Sequence, residues 1–161
     1  GLIPTAEMKE NAMKSSSYEN WKAVKVDDIV LNRFKAHLGV LFRAKLEGMV
    51  SFHYGVYEAI TELCPQYFEY LYHSDNYRYV YSIMSNGMVV GLQNLSNTNF
   101  YRVDCVVPTL EEQIQISEYL DTKCTEIDNL ISIKLSKIDS LKEYKKSIIY
   151  EYVTGKKDVT L

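Results

Sequence analysis

Ten polar side chains in the first two thirds of the chain have donor and acceptor patterns suited to bases and phosphates. They are Asn32, Arg33, Lys35, His37, Arg43, Lys45 and His53, followed by Asn86, Gln93 and Asn94. Arg and Lys fix a protein on phosphates, while Arg, Asn, Gln and His reach base edges in a major groove. Residues for covalent or hydrolytic chemistry are harder to find. There is no Gly-rich phosphate loop, no Asn-Pro-Pro-aromatic signature and no dinucleotide-binding Gly pattern. Glu143-Tyr144-Lys145 has the Glu-x-Lys spacing of some metal-dependent nucleases, but it lies mid-helix among other charges. Asp27 and Asp28 are neighbours in a turn, which points their carboxylates apart. Cys64, Cys105 and Cys124 are odd in number and lack metal-ligand spacing, so they read as free thiols of a reducing compartment. The expectation is a non-catalytic, cytoplasmic protein without metal or cofactor.

Charge bears on this reading in two ways. The net charge of −3 argues against nucleic acid as a partner. Yet from Trp21 to His53 six basic residues (Lys22, Lys25, Arg33, Lys35, Arg43, Lys45) face three acidic ones (Asp27, Asp28, Glu47). A local patch, not the total, is what meets phosphate. No apolar run of membrane-spanning length occurs. No basic-apolar-small leader is visible, and the start at Gly1-Leu2-Ile3-Pro4 without Met suggests a processed or cut fragment.

The elements that must position these side chains are of two kinds. Residues 1–108 alternate short apolar runs with turn residues, which predicts an α+β domain: a small, mostly antiparallel sheet with short helices. A helix from Thr5 to Lys14 is expected first. Strands are expected around Trp21–Val26, over Ile29–Phe34, over Leu38–Phe42 with a break at Gly39, over Met49–Tyr57, and over Val56–Ile60. Pro65 suits the first turn of a helix reaching His73, Asp75-Asn76 should break it, and Tyr77–Met84 should form another. Met88–Leu92 and Val103–Val107 read as strands, with Ser96 capping a short helix between them. The tyrosine-dense tract from Tyr67 to Tyr81 is expected to pack against the sheet rather than to stack on bases.

The second kind of element is a single helix over 109–155, followed by a tail over 156–161. Thr109 and Glu112 have capping-box spacing, Pro108 blocks backward extension, and no Gly or Pro follows until Gly155. Apolar residues recur every seven. One row holds Leu120, Ile127, Leu141 and Ile148, the other Cys124, Ile131, Ile138 and Tyr152, with Lys134 and Lys145 as the departures. That stripe is a coiled-coil seam. A helix of this length spans roughly 66 Å at 1.5 Å per residue, against about 35 Å for a globule of some 100 residues. Burying eight seam side chains is worth on the order of 12–24 kcal/mol before ordering costs, so a partner helix is expected.

Val107-Pro108-Thr109-Leu110-Glu111-Glu112-Gln113, Tyr119-Leu120-Asp121, Ile127-Asp128, Leu130-Ile131, Leu141-Lys142-Glu143-Tyr144 and Val153-Thr154-Gly155-Lys156 together resemble, over about 50 residues, the spacer helix of specificity (S) subunits of type I restriction–modification systems. Val24 through Arg33, Gly48-Met49-Val50-Ser51 and Asn86-Gly87 through Phe100 are similar to their recognition domains. There Gly often precedes the second Asp, and Asp27 departs from that pattern.

The resemblance implies two target-recognition domains held apart by two antiparallel helices, a bipartite double-stranded DNA target, and docking of methyltransferase and restriction subunits. S-adenosylmethionine and ATP would belong to those partners. It also implies that Gly1 falls in the middle of a recognition domain. One domain and one helix would then pair antiparallel with a second copy, or with the missing half of the polypeptide. The competing reading, favoured by the acidic balance, is a coiled-coil protein-interaction module without DNA contact.

Overall fold

The computed structural model describes residues 3, 4, 7, 17–87 and 93–159. The expected helix from Thr5 to Lys14 and the expected strand Met88–Leu92 lie outside the described residues. The chain divides into two compact units, Gly1–Ser117 and Glu118–Leu161.

In the first unit, five short strands form two antiparallel sheets. β1 (Lys22–Val24) pairs with β4 (Gly48–Val50). β2 (Ile29–Asn32) lies between β3 (Leu41–Arg43) and β5 (Tyr54–Tyr57). Among the described residues the strands do not join into a single continuous sheet. The apolar run that opens β2 is explained by burial on both faces. Ile29 and Leu31 join Ala36, Leu41, Tyr81, Leu95 and Phe100 on one side. Val30 joins Val24 and Ala44 on the other. Alternate residues of a strand face opposite ways, so a strand buried twice shows no apolar–polar alternation.

The expected strand over Leu38–Phe42 keeps only its second part: Leu38 ends a 3-10 turn at Ala36–Leu38, which Gly39 closes at φ +73°. β3 starts two residues later. The expected long strand Met49–Tyr57 is divided into β4 and β5 by a turn at Phe52-His53, and nothing past Tyr57 continues into Ile60 as a strand. At the turn before β2, Asp27 stands at φ +74°. This left-handed conformation is free for Gly and tolerated by Asp.

Two helices cover the three-stranded sheet: α1 (Pro65–His73) and α2 (Asp75–Met84). The break between them is Ser74 alone, and Asp75 opens α2 rather than ending α1. Much of the tyrosine tract packs inward: Tyr67 and Tyr81 are buried, and Tyr72, Tyr77 and Phe100 form a chain of ring contacts, while Tyr79 is exposed. α3 (Asn97–Phe100) is capped by Ser96, whose Oγ accepts from the Asn99 N–H at 3.1 Å.

The expected strand Val103–Val107 is absent. Its carbonyls are served by tyrosine hydroxyls instead of a ladder: Tyr77 donates to Asp104 O and Tyr67 to Val106 O, each at 3.1 Å.

α4 runs unbroken from Leu110 to Val153, 44 residues. The capping box forms as spaced. Glu112 N–H donates to Thr109 Oγ1 at 3.3 Å, and Thr109 N–H donates to Glu112 Oε2 at 2.9 Å. At the far end Gly155 takes φ +71°, with Lys156 N–H donating to Glu151 O and Gly155 N–H to Tyr152 O. These are the paired bonds of a Schellman stop. The first two turns of α4 belong to the first unit, where Gln113 and Ser117 are buried.

The second unit is the remainder of α4 and its tail. Its seam is solvent-facing within the chain. Cys124, Ile127, Ile131, Ile138, Leu141 and Tyr152 are exposed, and Ile148 is half-buried. Leu120, half-buried, begins this row.

Candidate nucleic-acid interface

The antiparallel register sorts the ten polar candidates into groups. Asn32 pairs with Tyr54 at one end of β2, while Ile29 pairs with Arg43 at the other. Three residue steps separate the two ends, roughly 10 Å at 3.3 Å each. The run of basic residues from Arg33 to Lys45 is therefore split. Arg33, Lys35, His37 and His53 gather at the Asn32 end, and Arg43 and Lys45 at the Ile29 end.

At the Ile29 end, Arg43 is held by carboxylates. Nη1 lies 3.0 Å from Asp27 Oδ1 and Nε 3.8 Å from Glu69 Oε2. Lys45 is exposed. Strand-flanking acids also leave here: Asp27 and Asp28 precede β2, Glu47 precedes β4 beside Val24, and Glu58 follows β5. Lys25 pairs with Glu58 at 3.0 Å, which holds its ammonium above the usual lysine range. This end is electrostatically compensated.

The Asn32 end is built differently. Asn32 Oδ1 accepts from the Phe34 N–H at 3.1 Å and shapes the turn that follows β2. The Arg33 guanidinium reaches across to the β4–β5 turn, donating from Nη2 to Phe52 O at 2.7 Å and from Nε to His53 O at 3.1 Å. Lys22 Nζ donates to Tyr54 O at 2.6 Å. Partial burial, then the neighbouring Arg33 charge, lowers its pKa. Lys35 is exposed and His37 half-buried, with an enclosed Nδ1 that has no hydrogen-bond partner.

The second group joins the first through the main chain. Leu95 N–H donates to Arg33 O at 2.9 Å, and Asn86 and Asn94 exchange backbone hydrogen bonds at 3.0 and 2.9 Å. Asn94 and Gln93 are thereby placed one and two residues from the Arg33 tether. The Asn94 Oδ1 is enclosed and unpartnered.

Phe34, Phe52 and Lys22 complete this end, and none of the three figured among the candidate residues. Phe34 and Phe52 read as strand positions in the sequence. Their exposure follows from the early end of β2 and from the Phe52-His53 turn, which carries neither Gly nor Pro as a marker.

Elsewhere in the first unit, a cavity of about 220 Å³ is lined mainly by Tyr57, Phe68, Tyr72, Phe100 and Cys105. Burial pushes the Tyr57 hydroxyl up to about 12. Among the described residues no group of three or more His, Cys, Asp or Glu is placed to hold a metal ion. No helix among them is long and apolar enough to cross a membrane.

These features define an α+β domain with polar side chains gathered at one end of its sheets, continued by a single long helix. The family model for the type I restriction modification DNA specificity domain matches residues 3–143, and the chain belongs to that family. No curated protein and no solved structure matches it.

Proposed function

We propose that this chain supplies DNA sequence preference to a type I restriction–modification complex in the cytoplasm. It reads one part of a bipartite duplex target and docks methyltransferase and, through them, restriction subunits, which carry the chemistry and its cofactors. The observation that carries this reading, beside family membership, is the gathering of Asn32, Arg33, Lys35, His37, His53, Gln93 and Asn94 at one end of the sheets, away from the acids that border the strands. Asn86 borders the same group. Arg43 and Lys45 stand at the compensated end and lie outside the reading surface.

The long helix serves as the pairing element through Leu120, Cys124, Ile127, Ile131, Ile138, Leu141, Ile148 and Tyr152. An exposed apolar row of this length needs a matching helix. Its charge pattern supports an antiparallel one. Residues 118–133 hold four acidic side chains against one basic, and residues 134–153 five basic against three acidic. Antiparallel pairing sets each half beside its opposite, whereas parallel pairing sets like beside like. A second copy, or a second such helix of the same polypeptide, satisfies this pattern.

A mobility-shift assay with methyltransferase subunits present tests the reading. The expected result is a duplex shift in which the logarithm of affinity falls linearly with the logarithm of salt concentration. A complex that assembles but shows no salt-sensitive shift would favour a protein-interaction module instead. Light scattering on the eluting protein should report a dimer that Ile131→Glu or Ile138→Glu dissociates. A clean monomer at high concentration would remove the second-copy pairing.

A further inference from the structure

We propose that Phe34, His53 and Phe52 form a rigid wedge that enters duplex DNA between neighbouring base pairs and unstacks them. This rests on the DNA-reading surface proposed above and adds a mode of action to it. Phe34 is 38 % exposed and Phe52 51 % exposed, both at the tip of that surface. The His53 ring stands between them, with centroids 5.3 Å from Phe34 and 3.9 Å from Phe52. Three rings in contact at a surface have given up little conformational freedom still to be lost on binding.

The backbone beneath the rings is fixed at several points. Arg33 holds both carbonyls of the Phe52-His53 turn, Asn32 holds the Phe34 N–H, and Leu95 holds the Arg33 carbonyl. Such tethering suits insertion, because apolar wedges act by keeping their shape while the base step opens.

Charge selects nucleic acid over an apolar protein groove as the occupant. Lys22, Arg33 and Lys35 stand at the same end of the sheets as the rings, while Asp27, Asp28, Glu47 and Glu58 leave at the opposite ends of the strands. Glu19, ahead of β1, is an acidic residue of the near-side loops. Apolar rings at the same end as these cations match bases flanked by phosphates. Arg33 contributes twice: its side chain braces the turn, and its charge draws the backbone of a kinked duplex.

The test incubates the full chain at low salt with a pool of 40-base-pair duplexes of random sequence. Bound duplexes are recovered, and permanganate-reactive thymines are mapped by sequencing. The expected result is an enriched motif with hyper-reactive thymines at one fixed step. Phe34→Ala and Phe52→Ala should abolish that reactivity and weaken binding by about fivefold or more, the lower range for loss of an aromatic–base contact. Leu46→Ala removes a more exposed apolar side chain at the other end and should change neither. Thermal melts of all three variants confirm that they fold. Enrichment without a reactive step, or alanine variants that react like the parent, overturns the wedge and leaves the reading surface intact. A pool that shows no enrichment either with the chain alone or with methyltransferase subunits added overturns both.

Discussion

Arg43 Nη1 sits 3.0 Å from Asp27 Oδ1 while the Asp27 main chain holds a left-handed φ of +74°. One residue thus combines a backbone that favours glycine with a side chain that anchors an arginine. The Asp27 carboxylate is half exposed, so the ion pair is worth at most about 1 kcal/mol. A left-handed β-carbon costs about 1–2 kcal/mol. Asp27→Gly should therefore leave stability unchanged or raise it slightly. Asp27→Ala keeps the backbone penalty, loses the anchor, and should destabilise relative to Asp27→Gly by about 1–2 kcal/mol in urea melts. Equal stability of the two variants would show that the backbone cost is negligible.

The two arginines of the basic segment should separate in their effects. Arg33→Ala releases the Phe52-His53 turn and removes a cation from the reading surface, so DNA affinity should fall about fivefold or more with a shallower salt slope. Arg43→Ala strips the partner from Asp27 and Glu69 at the far end. It should lower the melting temperature while changing affinity less than twofold. Titrations at three salt concentrations, with melts in parallel, distinguish the two.

Gln113 links the start of α4 to the domain. Its Oε1 accepts from the Cys64 N–H at 2.9 Å, and its Nε2 donates to Pro108 O at 2.8 Å. Gln113→Leu keeps the volume and strands both backbone groups. Each stranded group costs about 1–3 kcal/mol, so a loss of at least about 2 kcal/mol is expected in chemical denaturation. Gln113→Glu keeps the acceptor but not the donor and should fall between leucine and the parent.

The capping box predicts a pH response. Hydrogen bonds from the Thr109 hydroxyl and then from its N–H hold the Glu112 carboxyl below the usual carboxylate range. A depressed pKa means that this contribution is fully present above the unfolded value and is lost as pH falls through the folded one. Thr109→Ala should cost about 1 kcal/mol near neutrality. The difference from the parent should shrink in acid, as read from melts at pH 7 and pH 3. A difference independent of pH would mean that the carboxylate adds nothing to the cap.

At the other end of the helix, Gly155→Ala places a β-carbon in open space at φ +71°. The cost is one of backbone alone, about 1–2 kcal/mol. It should appear as faster amide exchange at positions 155 and 156, the donors of the stop, with the middle of α4 unchanged.

Features legible in the sequence were those set by near neighbours. The Thr109–Glu112 box, the Ser96 cap, Pro65 at a helix start and Gly155 at a helix stop each depend on residues within one turn, and each stands as read. Features set by distant partners were not. Val103–Val107 has strand composition, but its partners are tyrosine hydroxyls from α1 and α2, more than twenty-five residues away. β2 shows no alternation because both its faces are covered, so its periodicity carries no register. Without register, Arg33 and Arg43 look like one patch. The Phe52-His53 turn is fixed by an arginine nearly twenty residues upstream, and nothing local marks it.

The Arg33 tethers carry one further consequence. Every one of them ends on a main-chain atom: the carbonyls of Phe52 and His53, and the N–H of Leu95. Side chains at positions 34, 35, 52 and 53 are therefore free of duties to the core beneath them. On the function proposed above, exchanging these four letters would change the preferred site while Ile29, Val30 and Leu31 stay fixed. The same economy makes this corner a natural place to begin a library for retargeting.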